Sequence, residues 1–245
     1  MALSRGRTGC LLLHGFTGDK EDWRSSLPGP TSGGWLAMDL PGHGDAAAPE
    51  GDFECVVHSL LAALPQSITE IAGYSLGGRI ALGMLARAPL RFRRATIVSA
   101  HPGLSDPAER AARLRQDARW IHLLEAQGIA AFVAAWEAQP LFASQSRLPA
   151  ETLLRQRQRR LSQRAPGLAA SLRATGLGAM PSTWSALRAY PGQLRWVVGG
   201  ADARFLGIAH QVVELRPETE LHVLPEVGHN PLLECPAQLA QILAG

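Results

Sequence analysis

The sequence predicts an α/β architecture: a mostly parallel, twisted sheet flanked by helices, with an inserted helical cap. Three observations carry that expectation. Short apolar runs alternate with helical segments over the first 100 residues and again toward the C-terminus. Between them, from Asp106 to about Leu187, helical patterns follow one another with no convincing strand. Finally, Gly73-Tyr74-Ser75-Leu76-Gly77 fits the pattern that seats a serine on a sharp turn between a strand and a helix.

Cys10–Leu13 is a short apolar run ending at His14-Gly15, the pattern of a buried strand entering a loop. Trp35–Met38 is a second, ending at Asp39-Leu40-Pro41-Gly42-His43-Gly44. Phe53–Leu64 reads as a helix, Ile68–Gly73 as a strand, Gly78–Arg87 as a helix and Ala95–Ser99 as a strand. Asp106-Pro107-Ala108-Glu109 then sets an N-cap residue before a proline at the first helical position, opening a helix to about Ala126. Ile129, Phe132, Val133 and Trp136 recur at helical spacing in a second helix. A third is expected from Pro149 through Arg164, and a fourth from Gly167 to Thr175. Strand-like runs resume at Leu194–Val198 and Glu220–Leu224, each followed by a helical segment. The expected division is a core of residues 1–100 and 188–245, with a cap over 101–187.

A chain of 245 residues, 46% hydrophobic and 18% charged, has the make-up of an ordinary enzyme-like globule. Lys20 is the only lysine, and the other 23 basic residues are arginines. The net charge of +3 is too small to imply nucleic acid. Cys10, Cys55 and Cys235 are scattered, with no CxxC spacing, so neither a disulfide framework nor a metal site is expected. Met1–Arg7 has no apolar run of the kind a secretory signal needs, and no stretch reaches the length of a membrane span. The expected location is cytoplasmic.

A serine hydroxyl becomes reactive when a histidine takes its proton and a carboxylate fixes the histidine tautomer. On such a sheet those partners follow later strands, in the order serine, acid, histidine. Asp202 follows Leu194–Val198 in Gly199-Gly200-Ala201-Asp202, and His229 follows Glu220–Leu224 in Val227-Gly228-His229-Asn230. Ser75, Asp202 and His229 therefore form the expected triad. The expected oxyanion hole is the backbone N–H of Leu76, which opens the helix, and that of Phe16, in the loop after the first strand.

Arg79 lies four residues after Ser75, one helical turn away on the same face. Two partners suit a guanidinium there: a core aspartate, or a carboxylate on the substrate. The cap favours the second, because between Ala100 and Tyr190 it carries 12 arginines against six acidic residues. Arg113 and Asp117 share a helix face with Trp120 close by, and Arg157, Arg160 and Arg164 are expected along one side of the third cap helix. Arginine's planar fork matches carboxylates bidentately, so such a cap suits a small molecule with more than one carboxylate.

These motifs together resemble a known family. His14-Gly15-Phe16-Thr17-Gly18-Asp19, Asp39-Leu40-Pro41-Gly42-His43-Gly44 and Gly228-His229-Asn230 are its general parts. More selective are Gly73-Tyr74-Ser75-Leu76-Gly77-Gly78-Arg79, His101-Pro102-Gly103-Leu104 with Glu109-Arg110-Ala111-Ala112-Arg113, and Trp136-Glu137-Ala138-Gln139-Pro140-Leu141-Phe142-Ala143-Ser144. Over nearly its whole length the chain resembles the 2-succinyl-6-hydroxy-2,4-cyclohexadiene-1-carboxylate synthases. These are cofactor-free lyases of menaquinone biosynthesis within the α/β-hydrolase superfamily.

The resemblance implies Ser75, Asp202 and His229 as the triad, with Arg79, Arg113 and Arg160 gripping substrate carboxylates. It also implies that Tyr74 and Trp136 shape the pocket, although the spacing of Trp136 equally suits a core position. The match at Arg160 rests on Gly167-Leu168-Ala169-Ala170-Ser171-Leu172 downstream. The chain departs from common family patterns at Ser162-Gln163-Arg164, where relatives often have an amide-rich stretch, and at Arg204, where they commonly have lysine. The implied reaction eliminates pyruvate from 2-succinyl-5-enolpyruvyl-6-hydroxy-3-cyclohexene-1-carboxylate, with the serine as a base. Two rivals share the fold. One is a hydrolase of esters or of carbon–carbon bonds, the other a catalytically silent receptor.

Overall fold

The computed structural model describes residues 9–27 and 34–245, so the reading of Met1–Arg7 lies outside the described residues. Six parallel strands form one sheet: β1 (Gly9–Leu13), β2 (Trp35–Met38), β3 (Ile68–Tyr74), β4 (Arg94–Val98), β5 (Gln193–Gly199) and β6 (Glu220–Leu224). Their order is β2-β1-β3-β4-β5-β6. The chain enters at β1, next to one edge, steps outward to β2, then returns past β1 and proceeds to the opposite edge. This reversal opens a crevice beyond the C-terminal ends of β1 and β3, where ligands bind in open α/β sheets. Ser75 and the loop carrying Phe16 both lie there.

The first helices are α1 (Phe53–Ala63) and α2 (Leu76–Arg87). Between β4 and β5 come α3 (Pro107–Glu137), α4 (Ala150–Leu161), α5 (Ala165–Thr175) and α6 (Trp184–Ala189). The chain closes with α7 (Ala203–Leu215), α8 (Pro231–Glu234) and α9 (Pro236–Ala244). Short 3-10 segments cover Lys20–Ser26 and Pro140–Arg147.

Alternation along β1 divides the core. Leu11 and Leu13 join Phe53 and Val57 of α1, Leu82 of α2 and Val212 of α7 on one face. Cys10 and Leu12 join Trp23 and the α9 residues Leu239 and Leu243 on the other. A third cluster, Leu124, Phe132, Val133, Leu168 and Ala169, holds α3 against α5, with Phe16 packed on its edge.

The structure bears out one expectation about the inserted block and corrects another. The first two expected helices are both present within α3 and meet at Gly128, whose φ of 77° and ψ of −174° separate them. The third expected helix stops at Leu161, so Arg164 does not share a helix side with Arg157 and Arg160. Pro166 has no N–H to offer the carbonyl of Ser162, so a helix cannot continue through it. Arg164 precedes α5 and donates to the Ala46 carbonyl.

The serine turn is held by close backbone contact. A Cβ at Gly77 would lie 2.2 Å from the Leu13 carbonyl oxygen, and one at Gly73 would lie 2.4 Å from that of Gly77. Only glycine admits this approach. It lets Gly77 N–H donate to the His14 carbonyl at 3.0 Å, tying the loop after β1 to the first turn of α2. Ser75 sits in the turn at φ 51° and ψ −106°, a conformation costing a non-glycine residue about 1–3 kcal/mol.

The same loop is fixed from below by two buried histidines. Leu40 N–H donates to His14 Nε2 at 2.9 Å, and His14 Nδ1 donates to the Gly15 carbonyl at 2.8 Å, so the ring is neutral. His43 packs edge-on against both His14 and Phe16. Burial lowers the proton affinity of both rings, and His43, also facing His14, is pulled down to about 3. Unfolding exposes them to protonation near pH 6.5, while the folded state keeps them neutral well below that. Unfolding therefore takes up protons on the acid side, and stability falls as pH drops from about 6.5, by up to roughly 1.4 kcal/mol per pH unit for each ring. Urea midpoints at pH 7.5, 5.5 and 4.5 test this: they hold level above pH 7 and decline below 6.5. A flat profile down to pH 4.5 would show that the rings are charged in the fold.

Candidate active site

The residues named from the sequence converge at the C-terminal ends of the strands. His229 Nε2 lies 3.1 Å from Ser75 Oγ, and His229 Nδ1 lies 2.8 Å from Asp202 Oδ2. Asp202 can only accept, so Nδ1 carries the hydrogen and Nε2 is left to accept from the serine hydroxyl. His229 and Asp202 are almost completely shielded from water. Asp202 is also the N-cap of α7, where its other oxygen accepts from Phe205 N–H at 3.2 Å, so its carboxylate is fixed at both ends.

Glu234 and Phe205, which sequence reasoning did not single out, support this chain together with Tyr74. Glu234 accepts from Gly228 N–H at 2.7 Å and Asn230 N–H at 3.1 Å, bracketing His229. The Phe205 ring packs 4.4 Å from the histidine ring on one flank, and Tyr74 packs 5.7 Å away on another. The position of Glu234 six residues after Gly228 carries no recognisable motif, so only the fold reveals the clamp. Among the described residues, the backbone N–H groups of Phe16 and Leu76 donate to no protein acceptor. They remain available to a ligand in the crevice.

Ser75 and His229 open into a cavity of about 550 Å³ roofed by the inserted helices. Arg79, Arg113 and Arg160 all line it, as do Tyr74 and Trp136. Arg79 donates to the Thr175 carbonyl, and among the described residues no carboxylate lies within ion-pair distance of it. The core aspartate partner is therefore absent there. Burial first, then the like charge of Arg113, lowers its proton affinity to about 9. The guanidinium stays cationic at neutral pH but lacks full compensation.

Arg113 meets Asp117 through Nε at 2.8 Å, which leaves the Nη end of its fork for the cavity. Arg160 is 5% exposed, pairs with Glu137 at 3.2 Å and lies 5.1 Å over the Phe142 ring. Trp136 combines its two expected placements. It stacks on Phe132 at 5.4 Å within the cap cluster and also faces the cavity. Many other cap arginines are spent on structure: Arg155 on Glu151, Arg157 on Glu137, Arg173 on Glu125, and Arg159 on Asp19 and Asp22 outside the cap. Among the described residues, no group of three or more His, Cys, Asp or Glu side chains is arranged to hold a metal ion, and no helix is long and apolar enough to cross a membrane.

Asp117 is 2% exposed, and one of its oxygens has no partner among the described residues. Asp117→Ala leaves the Arg113 charge facing Arg79 without a counterion. It should lower the unfolding free energy by about 3 kcal/mol in urea denaturation. A loss below about 0.5 kcal/mol is the size expected of a screened surface pair, and would show that this one is no more than that.

Comparison with known proteins identifies the family. Residues 10–242 match the alpha/beta hydrolase family. A 2-succinyl-6-hydroxy-2,4-cyclohexadiene-1-carboxylate synthase from Enterobacter sp. (strain 638) is 35% identical over 243 residues, covering 96% of this chain and 89% of that protein. One of the same name from Klebsiella pneumoniae subsp. pneumoniae is 33% identical over 256 residues, covering 99% and 98%. Among solved structures, MenH from S. aureus aligns with a TM-score of 0.91 at 29% identity, covering 96% of this chain and 91% of that one. The chain thus belongs to the alpha/beta hydrolase family, and within it to the 2-succinyl-6-hydroxy-2,4-cyclohexadiene-1-carboxylate synthases.

Proposed function

We propose that the protein is a cytoplasmic, cofactor-independent lyase that eliminates pyruvate from 2-succinyl-5-enolpyruvyl-6-hydroxy-3-cyclohexene-1-carboxylate, giving 2-succinyl-6-hydroxy-2,4-cyclohexadiene-1-carboxylate. The observation that carries this reading is Arg79. It is a partly buried cation one helical turn from Ser75, lining the same cavity with no carboxylate within ion-pair distance among the described residues. A hydrolase of neutral esters has no use for such a charge, whereas a tricarboxylate substrate supplies its counterion. The names of the relatives point to the same chemistry.

In the proposed mechanism Ser75 acts as a base and forms no acyl-enzyme. His229 Nε2 takes the serine proton, and Asp202 steadies the resulting imidazolium. The serine oxygen removes a ring proton from the substrate. The electron pair left on the ring forms one double bond, the existing ring double bond shifts by one position, and the carbon–oxygen bond to the enolpyruvyl group breaks. Pyruvate departs as its enolate and regains a proton at carbon, so no water is consumed. The N–H groups of Phe16 and Leu76 stabilise negative charge as it develops on the substrate, and Arg79, Arg113 and Arg160 hold the carboxylates in register.

A coupled assay of pyruvate release from freshly generated enolpyruvyl substrate tests the proposal. Ser75→Ala should lower kcat by about 10³-fold, the scale of a lost general base, without changing thermal unfolding. Arg79→Ala should lower kcat/KM for the tricarboxylate about 100-fold, as expected for a lost charge-assisted hydrogen bond, while sparing any hydrolysis of a neutral p-nitrophenyl ester. Equal losses on both substrates would remove the carboxylate role from Arg79. A wild-type protein that hydrolyses the ester but releases no pyruvate would make Ser75 a nucleophile.

A further inference from the structure

The loop leaving β4 carries a side chain that the elimination above does not employ. His101 lines the cavity that also holds Ser75, Arg79, Arg113 and Arg204. Its ring is oriented from behind, because Gly103 N–H donates to Nδ1 at 3.0 Å. The loop that delivers this N–H is itself clamped. Gly103 sits at φ 98°, where a Cβ would lie 2.6 Å from the Pro181 carbonyl oxygen. Thr183 donates twice to the Pro102 carbonyl, through N–H at 2.7 Å and Oγ1 at 2.8 Å. Trp184 Nε1 donates to the Gly103 carbonyl at 3.0 Å.

A ring nitrogen that accepts from an N–H bears no hydrogen of its own, so the hydrogen of neutral His101 is on Nε2. Forming the imidazolium would place a second hydrogen on Nδ1, against the Gly103 N–H. Burial, followed by the charges of Arg204, Arg79 and Arg113, lowers the ring's proton affinity to about 4. Among the described residues no protein acceptor meets Nε2. The cavity therefore sets a neutral donor of fixed direction beside Arg79, Arg113 and Arg204.

Arginines answer carboxylates; a neutral ring N–H that can only donate is matched by an oxygen that can only accept. We propose that His101 contacts the ligand directly, donating its Nε2 hydrogen to an uncharged ketone oxygen and so selecting keto-polycarboxylates over polycarboxylates that lack one. This rests on the reading of the cavity as a polycarboxylate site, and His101 transfers no proton in it.

His101→Asn separates the two ends of the ring. The Asn side-chain oxygen can still accept from Gly103 N–H, while the donor facing the cavity is lost. Binding of 4-oxoheptanedioate and of heptanedioate, measured by calorimetry on wild type and variant, gives the readout. The wild type should bind the ketone diacid about tenfold more tightly than the plain diacid. His101→Asn should bind both equally, near the wild-type affinity for heptanedioate, and its KM for the tricarboxylate should rise. His101→Gln, whose amide nitrogen can reach toward the Nε2 position, should recover part of the preference although it disturbs the loop.

A role confined to holding the loop predicts the reverse order, with Asn benign and Gln harmful, and that result overturns the proposal. So does a wild type without preference between the diacids. If neither diacid binds the wild type and no pyruvate is released, it is the polycarboxylate reading itself that falls, and the role of His101 with it.

Discussion

The carbonyl oxygens of Leu13 and His14 press on the first turn of α2 so closely that a methyl group at Gly77 would collide with both. That contact joins the two halves of the crevice. It brings the loop after β1, with Phe16, beside the helix that begins at Leu76, and it pins the turn in which Ser75 is held at positive φ. The neutral His14, bridging from the same loop to Leu40, braces this arrangement from the β2 side. The distance between serine and histidine is then set by elements that are themselves immobilised: β3 below the serine, α7 behind Asp202, and the Glu234 clamp around His229. Side chains supported in this way are held in fixed relative positions.

The arginine excess resolves into two populations. One fastens the inserted helices: Arg157 and Arg173 pair within the block, and Arg159 crosses to Asp19 and Asp22 beside the Phe16 loop. Gln163 works alongside, accepting from Gly44 N–H and donating to the Gly18 carbonyl. The other population faces the cavity with incomplete compensation, and Arg79 is its extreme member. Arg113 is intermediate, steadied by Asp117 through its Nε while its fork stays free. A cavity lined in this way favours an anionic ligand, which supplies the missing compensation.

What was legible in the sequence was local. Strand and helix periodicity, the glycine-flanked serine, and the order of Asp202 and His229 after successive strands all follow from short windows, and they locate the crevice. The selective motifs carried the family as well. The extent of the third cap helix was not legible, because the tolerance of α4 for Arg164 was decided by Pro166 two residues later. Glu234 and the ties from Arg159 and Gln163 were also hidden, since each joins a side chain to backbone or charge that only the folded chain brings near. Arg79 shows the division clearly. Its spacing from Ser75 was visible, yet whether it had a carboxylate partner depended on elements far away in sequence.

The insertion between β4 and β5 has a consequence for how the molecule assembles. Arg94 pairs in register with Gln193, so adjacent central strands are separated in the chain by all of α3 to α6. The half-sheet from β1 to β4 can form from contacts of modest sequence separation, but β5 and β6 dock only after that long segment has closed its loop. Asp202 and His229 both arrive with this late half, whereas Ser75 is already in the early one. The hydrogen bonds that join Ser75 to His229 and His229 to Asp202 thus depend on closure of the connection from β4 to β5 and not on the first half of the sheet alone.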